Sequence, residues 1–348
     1  MSDEITVISD QTPLSAAEKN AGMDAWRIAR LAAEKAVASA ARPTMFKAVT
    51  APDSLEEIFR TRFSKLGLAK QQAATTRVLA EVETMSPARR TALGARATVD
   101  LRSAASVESQ VHPAAVGDVR PAAAAPSAVQ PTVAGAHTSL TLRLHRVTCV
   151  DETGGWLAEK VGGDEIDLGV SIIDVRGNVV SVPRFKVGNF AKDGVVKSFA
   201  PLHPLYRFDL TNAPGWPVSC TAILTLSERD MGNFPEFLNK LVEKLRSQVA
   251  TALAGAAGSP GGPVGAALAA AIARGVQFAL GKIMDYLRSW WGDDVFTPVT
   301  VAISISSPTA LFPKPGNIWA KDSVDRTIKF VGHDGTYLLT YDWLRTGA

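Results

Sequence analysis

Cysteine is scarce in this chain, with two residues among 348. Cys149 and Cys220 each lie in apolar, strand-like sequence, and no Cys/His spacing of the zinc-binding type is present. A dense disulfide framework is therefore excluded as the basis of the fold. We expect two buried free thiols, as in a cytoplasmic protein, because a disulfide would require the two strands to be neighbours.

An excess of charge of one sign is also lacking. The formal net charge is +3 and the basic residues are spread along the chain, which argues against the clustered Lys/Arg of a nucleic-acid-binding protein. The first residues, Met1–Ile5, are acidic and lack a basic and apolar leader. The expected location is the cytoplasm as synthesised, and export by a signal-independent route stays open.

Motifs of enzyme chemistry are missing as well. No Gly-x-Ser-x-Gly occurs, and the glycine-rich stretch 255–265 lacks the Gly-Lys-Ser/Thr of a phosphate-binding loop. His145, His203 and His333 lie on a strand, between prolines and at a turn, so we expect them to be structural or solvated. The sequence therefore favours a protein that is not an enzyme, although a pocket built from dispersed residues would leave no motif.

Helical patterns fill the N-terminal region, residues 1–103. After 13 residues expected to be disordered, Ser15 begins a pattern typical of a capping box, and the helix that follows ends at Pro43. Three further helices are expected to begin near Asp53, Gln71 and Ser86. Their apolar faces are modest and are expected to pair with one another or with a partner.

Residues 104–137 have the composition of a flexible linker. Alanine, proline, serine and valine dominate, and aromatic residues are absent. Such a segment cannot bury enough apolar surface to offset the entropy of ordering. We expect it to be disordered and to separate two domains.

The C-terminal region, residues 138–348, changes to the period-two alternation of β-strands. Beginning at Ser139, seven or eight short strands are separated by turns. Tyr337, Leu339, Tyr341 and Trp343 fall on one face of the last strand. The pattern predicts an antiparallel β-sandwich, so the chain as a whole is expected to be α+β.

A helical hairpin is predicted within the sandwich, at residues 234–292. Two helical patterns flank the break Gly258–Pro263, and no charged residue occurs between Arg246 and Arg274. Each uncharged arm is about half the length of a membrane span, so burial within the domain is one interpretation. The other is a conditional membrane-contacting hairpin, whose contact residues would be Leu253, Val264, Leu268, Ile272, Trp290 and Trp291.

Two acidic loops follow strand ends. The first carries Asp151 and Asp164 and the second carries Glu228 and Asp230. Aspartate and glycine are common in turns, which accounts for these residues without a ligand. Carboxylates grouped on loops are also what calcium prefers, so a calcium site is the second interpretation.

The strand ending in Asp151, the glycine-rich loop with Asp164 and the strand ending in Glu228-Arg229-Asp230 resemble the calcium- and lipid-binding β-sandwich domains of the protein kinase C and synaptotagmin type. The resemblance covers residues 139–233. It implies that Asp151, Asp164, Glu228 and Asp230 are calcium ligands. The sequence departs from that family at Glu165-Ile166, where the family has Pro-Tyr, at Glu228, and in the helical insertion.

These features favour a non-enzymatic module that contacts a membrane or a partner protein, in the manner of a bacterial effector or toxin. The alternative is a structural or assembly protein, whose N-terminal helices dock or form a homo-oligomer and whose sandwich serves as a head or spacer. Neither interpretation involves nucleic acid, and calcium is the one cofactor considered.

Overall fold

The computed structural model is α+β, with helices in the N-terminal part of the chain and antiparallel sheets in the C-terminal part, which confirms the predicted class. It describes residues 5–8, 14–46, 51–94, 136–152, 163–211, 213, 215–228, 234–257, 266–291, 296–316, 318–332 and 335–347. Most of the predicted linker, residues 104–135, lies outside the described residues.

Six helices are described. They are α1 (Ala16–Ala41), α2 (Leu55–Ser64), α3 (Leu68–Thr84), α4 (Pro87–Gly94), α5 (Phe234–Ala257) and α6 (Ala266–Trp291). The predicted capping box is confirmed at α1, where the Glu18 backbone N–H donates to Ser15 Oγ at 3.3 Å and the Ser15 backbone N–H donates to Glu18 Oε2 at 2.7 Å. Two otherwise unpaired donors of the first turn are satisfied in this way.

Eleven strands are described. They are β1 (Ile5–Ile8), β2 (Ser139–Asp151), β3 (Asp164–Ile173), β4 (Val179–Phe190), β5 (Val196–Asp209), β6 (Val218–Glu228), β7 (Val299–Ile305), β8 (Phe312–Lys314), β9 (Ile318–Ala320), β10 (Arg326–Gly332) and β11 (Gly335–Thr346). One sheet has the order β1-β7-β6-β3-β4, a second has the order β10-β11-β2-β5, and β8 pairs with β9 alone. All of these pairs are antiparallel.

The two large sheets contribute to one apolar core. Leu142 and Leu144 of β2 share it with Leu168 of β3 and Leu224 of β6, and all four are fully buried. The expected apolar face of β11 is confirmed, because Tyr337, Leu339, Tyr341 and Trp343 are all buried in this core. Thr340 and Asp342 of β11 alternate with these residues along the strand and belong to the other face of the four-stranded sheet.

Strand β1 corrects the prediction of disorder for residues 5–8, while the rest of the first 13 residues lies outside the described residues. Ile5 is buried and stands opposite Ile305 in the β1–β7 pair, and the strand continues to Ile8. The segment Ile5-Thr6-Val7-Ile8 consists of β-branched residues, which suit a strand. It adds to the edge of a sheet formed by residues far along the chain, and a local pattern cannot reveal that partner.

The helices have a core of their own. Residues of α1, α2, α3 and α4 share it with residues of α5 and α6, together with Ile223 of β6. Helix α1 is the central element, since it packs against α2, α3, α4, α5 and α6. The N-terminal helices therefore cover the α5–α6 pair of their own chain.

Glycines permit a close approach of α1 and α6. A Cβ atom added to Gly22 would lie 2.8 Å from the backbone oxygen of Gly275, and one added to Gly275 would lie 2.7 Å from Val249 Cγ1 of α5. Both distances are well below a van der Waals contact. At Gly22 and Gly275 the three helices are therefore too close together for a larger residue to fit without a shift.

Candidate functional site: the covered helix pair and the ends of the sheets

The predicted membrane-contact residues lie on the α5–α6 pair. Leu253 and Ile272 are buried in the helical core, and Leu268 is partly buried against it. Val264 lies outside the described residues, as do the side chains of Trp290 and Trp291 at the end of α6. In the folded chain, the described part of the apolar stripe faces α1 and its neighbours, as in the buried interpretation of the hairpin.

An ion pair joins the start of α1 to α6. The Arg274 guanidinium donates a hydrogen bond to Glu18 Oε1, and the Glu18 side chain is 3% exposed. Glu18 also caps α1, so the carboxylate serves both the helix end and the contact between helices. Removing Arg274 would leave the buried Glu18 carboxylate without this ion pair, whereas Arg274 itself is 28% exposed.

A larger polar network lies within the same helical core. The Glu34 carboxylate is fully buried and accepts from Arg30 Nε at 2.7 Å and from Arg89 Nη2 at 2.8 Å. Tyr286 of α6 donates to Glu34 at 3.1 Å and to Glu81 of α3 at 3.2 Å. The network therefore ties α1, α3, α4 and α6 together.

The electrostatics of this network set the protonation of Glu34. Burial raises the pKa of Glu34, and the nearby guanidinium groups of Arg89 and Arg30 offset part of that effect. Burial also raises the pKa of Tyr286, and Glu34 raises it further. The tyrosine accordingly remains a hydrogen-bond donor at neutral pH.

Asn239 connects α5 to the five-stranded sheet. The hydroxyl of Ser171 on β3 donates to Asn239 Oδ1, and Asn239 Nδ2 donates to Ser181 Oγ on β4 at 2.5 Å. These polar contacts supplement the packing of α5 against β3, β4 and β6. The helix pair is therefore held by α1 on one side and by the sheet on another.

Three of the four predicted calcium ligands lie at one end of the two sheets. Asp151 is the last residue of β2 and stands opposite Thr336, while Asp164 begins β3 and accepts a hydrogen bond from Tyr337 at 2.5 Å. Glu228 ends β6 opposite Ile166. Asp230 lies outside the described residues, so the proposed set of four ligands stays a prediction.

A different cluster lies on the outer face of the four-stranded sheet. His145 of β2, Asp342 of β11 and Asp325, which precedes β10, each place one metal-binding atom within 4.8 Å of the others. It is the one His/Cys/Asp/Glu grouping of this kind among the residues that the structure describes. The sequence leads us to expect a structural or solvated His145, and it singles out neither aspartate. The available signal was that His145 and Asp342 alternate with inward-facing apolar residues on two strands.

Comparisons with protein-family models, with curated proteins and with solved structures find no match to this chain. Of the helices in the described ranges, none combines the length and apolar character needed to cross a bilayer.

Proposed function

We propose that this chain is a non-enzymatic interaction module of the effector or toxin type. In this proposal the sheets form a β-sandwich, and α5 and α6 form a helical hairpin inserted into it. The hairpin contacts a membrane or a partner protein only when the N-terminal helices have moved away. The observation that carries the proposal is that α1 covers the apolar stripe of the hairpin in the folded chain.

The contact between the hairpin and its cover has features of a separable interface. Glu18–Arg274 and Glu34–Tyr286 place polar groups across it, and the side chains of Arg274, Arg30 and Arg89 remain about 30% exposed. Charged groups that can return to water lower the cost of separation relative to a purely apolar contact. Once uncovered, Leu253 and Ile272 would supply apolar area for interfacial binding rather than a membrane span.

The proposal includes calcium binding because the sequence resembles calcium- and lipid-binding sandwich domains. Thr336 stands opposite Asp151, and the next residue, Tyr337, donates a hydrogen bond to Asp164. Asp164 lies two residues before Ile166, which stands opposite Glu228. Asp151, Asp164 and Glu228 are therefore supplied from one end of the sheets. Three carboxylates with loop oxygens would suit calcium, which takes about six to eight oxygen ligands.

Liposome flotation of the full chain tests the proposal. Wild type, the double variant Glu34→Gln/Tyr286→Phe and the control Asp24→Asn are mixed with anionic vesicles, with and without calcium. Asp24 pairs with Arg27 on the exposed side of α1, so its variant retains the cover. We expect the double variant to float in a larger fraction than wild type and the control to match wild type. Absence of vesicle binding by every protein in both conditions would remove the membrane branch.

The alternative proposal is a structural or assembly protein. Leu68 at the start of α3 is 77% exposed and Met45, just after α1, is 62% exposed, so the N-terminal helices keep apolar side chains at the surface. Light scattering on the full chain over a wide concentration range decides this alternative. A homo-oligomer supports assembly through these helices, and a monomer at every concentration contradicts self-assembly.

A further inference from the structure

The outer face of the four-stranded sheet brings a histidine and two aspartates together through strand pairing. β2 and β11 are antiparallel neighbours, and Arg143 stands directly opposite Asp342. His145 follows two residues later on β2. Asp325 lies just before β10, which pairs with the other side of β11. Three different chain segments thus converge on one point of the sheet.

His145 occupies an irregular position in β2. In the pairing of β2 with β11, Leu144 and Arg146 stand opposite two consecutive residues, so His145 is skipped. The pairing of β2 with β5 shows a register shift between the same two residues. His145 is therefore the extra residue of a bulge. Bulges redirect a side chain relative to its strand and are common beside functional sites. Here the bulge places the imidazole between the two carboxylates.

The two carboxylates face different ring nitrogens of His145, and one ligand atom from each of the three residues lies within 4.8 Å of the others, so a shared cation requires one carboxylate to move a short distance. His145 Nε2 lies 3.2 Å from Asp342 Oδ1, and His145 Nδ1 lies 3.5 Å from Asp325 Oδ2. Ligand atoms about 2.1 Å from one tetrahedral ion lie roughly 3.4 Å from one another. Nε2 is enclosed by protein, and its contact with Asp342 Oδ1 does not have the geometry of a hydrogen bond.

We propose that His145, Asp325 and Asp342 form a binding site for a divalent transition-metal ion of the zinc class. An imidazole with two carboxylates is a ligand set for such ions, whereas calcium takes oxygen ligands alone. One ring nitrogen coordinates the ion. The carboxylate of Asp325, whose side chain is 64% exposed, moves the short distance needed to complete the set. Three protein ligands leave a coordination position for water or for an incoming group.

Arg143 positions the buried ligand. Its Nε donates to Asp342 Oδ1 at 2.8 Å, and its Nη2 donates to Asp342 Oδ2. The fork fixes the orientation of a carboxylate that is 2% exposed and leaves each oxygen with a lone pair. Ligating carboxylates are commonly held in this way by a group outside the coordination sphere.

The surrounding charges permit a divalent ion. The two aspartates balance its charge, Arg143, which pairs with Asp342, adds one positive charge, and a second carboxylate–cation pair is neutral by itself. Asp322 in turn accepts from Lys314 at 2.7 Å, and that hydrogen bond lowers the pKa of Asp322. When the ion is bound to a neutral imidazole, these groups therefore carry one net positive charge, that of Arg143.

Zinc titration by calorimetry tests the site, with cobalt absorption as a second readout of the ligand set. The proteins are the full-length wild type, His145→Ala, Asp325→Asn and the control Asp285→Asn, an exposed aspartate on α6. We expect one tight ion per wild-type chain, at least about tenfold weaker binding in His145→Ala and Asp325→Asn, and unchanged binding in the control.

Thermal unfolding separates loss of the site from loss of the fold. Zinc is expected to raise the midpoint of wild type and of Asp285→Asn but not that of Asp325→Asn, whose exposed side chain leaves the fold unaffected. Two results overturn the proposal. One is no zinc binding by wild type, in which case His145 merely bridges two carboxylates. The other is equal affinity in all four proteins, which would place the bound ion elsewhere.

Discussion

Gly275 and Gly281 both lie in α6, but only Gly275 is close to a neighbouring helix, so substitutions at the two positions test the close approach of the helices. An added Cβ at Gly275 would meet Val249 Cγ1 at 2.7 Å, whereas one at Gly281 would meet no atom within 4 Å. Alanine favours a helix over glycine by about 1 kcal/mol at either position. The contacts of the added Cβ distinguish them, above all the one with Val249, and a valine in a helix has little rotamer freedom with which to move away.

We therefore predict opposite effects for the two alanine substitutions. Gly281→Ala should raise the free energy of unfolding by up to about 1 kcal/mol, while Gly275→Ala should lower it by about 1 to 2 kcal/mol because overpacking outweighs the propensity gain. Urea denaturation followed by circular dichroism measures both. Equal stabilisation by the two substitutions would contradict the tight contact of α1, α5 and α6.

The two thiols provide a second prediction at this scale. Both cysteines are free and buried, as the sequence predicts, and burial raises the pKa of Cys149 to about 11. At about pH 8 only about one Cys149 side chain in a thousand is then a thiolate, the reactive form. We predict that iodoacetamide labels neither cysteine in the native protein and both in urea, as read by mass spectrometry. Rapid native labelling of Cys149 would refute this burial.

Individual residues also show where sequence reasoning stops. The inward positions of β11 follow from alternation alone, because four aromatic and aliphatic residues repeat every second position. His145 is different, because its position depends on a bulge and on Asp325, which is 180 residues away in the chain and is brought near through β11. Alternation on one strand carries no information about such partners.

At the scale of elements, the edge strands were the hardest to predict. β5 runs from Val196 to Asp209 and contains Pro201 and Pro204, and β4 contains Pro183. Proline lacks the N–H that a central strand needs, so the sequence predicts only the proline-free part of each, at Val179–Val182 and Leu205–Leu210. Both strands lie at a sheet edge, where one side of the ladder has no partner and proline is tolerated.

The Glu34 network gives a prediction about how the helices are joined. Glu34→Gln replaces an oxygen that accepts hydrogen bonds with an amide group that donates them and that faces the donors Arg30, Arg89 and Tyr286, so it should lower the free energy of unfolding by about 1 to 3 kcal/mol. The control is Glu57→Gln on α2, whose pair with Arg60 is largely solvated and should change stability by less than about 0.5 kcal/mol. Chemical denaturation measures both. Equal effects would mean that the network contributes no more than a surface ion pair.

The same carboxyl group has a defined pH dependence. Because the pKa of Glu34 is raised in the folded protein, the native state takes up its proton at a higher pH than the unfolded chain does. The contribution of this group to stability is therefore fully present below its unfolded pKa and is lost as the pH rises through its folded pKa. The stability difference between wild type and Glu34→Gln should shift in favour of wild type from about pH 7 to about pH 5. A shift in the other direction would contradict the burial of Glu34.

At the scale of the whole molecule, the two ends of the chain are interleaved. β1 pairs with β7 in the five-stranded sheet, the next element, α1, packs against α5 and α6, and α5 and α6 in turn contact β6. The sequence divides the chain at residues 104–137 because composition changes there. Composition reports the local tendency to fold, whereas the shared helical core depends on apolar faces separated by about two hundred residues in the chain.

Interleaving predicts that the N-terminal helices do not fold apart from the rest. A fragment of residues 1–103 lacks α5 and α6, which complete the core around Ile28 and Val37 of α1, so we expect it to be largely unfolded by circular dichroism. The full chain should unfold in one calorimetric transition with similar calorimetric and van't Hoff enthalpies. Two separated transitions, or a helical and cooperative 1–103 fragment, would show instead that α1–α4 are an independent unit. In that case α5 and α6 could be uncovered while both parts stay folded, whereas a single transition means that the proposed uncovering of α5 and α6 includes the unfolding of α1–α4.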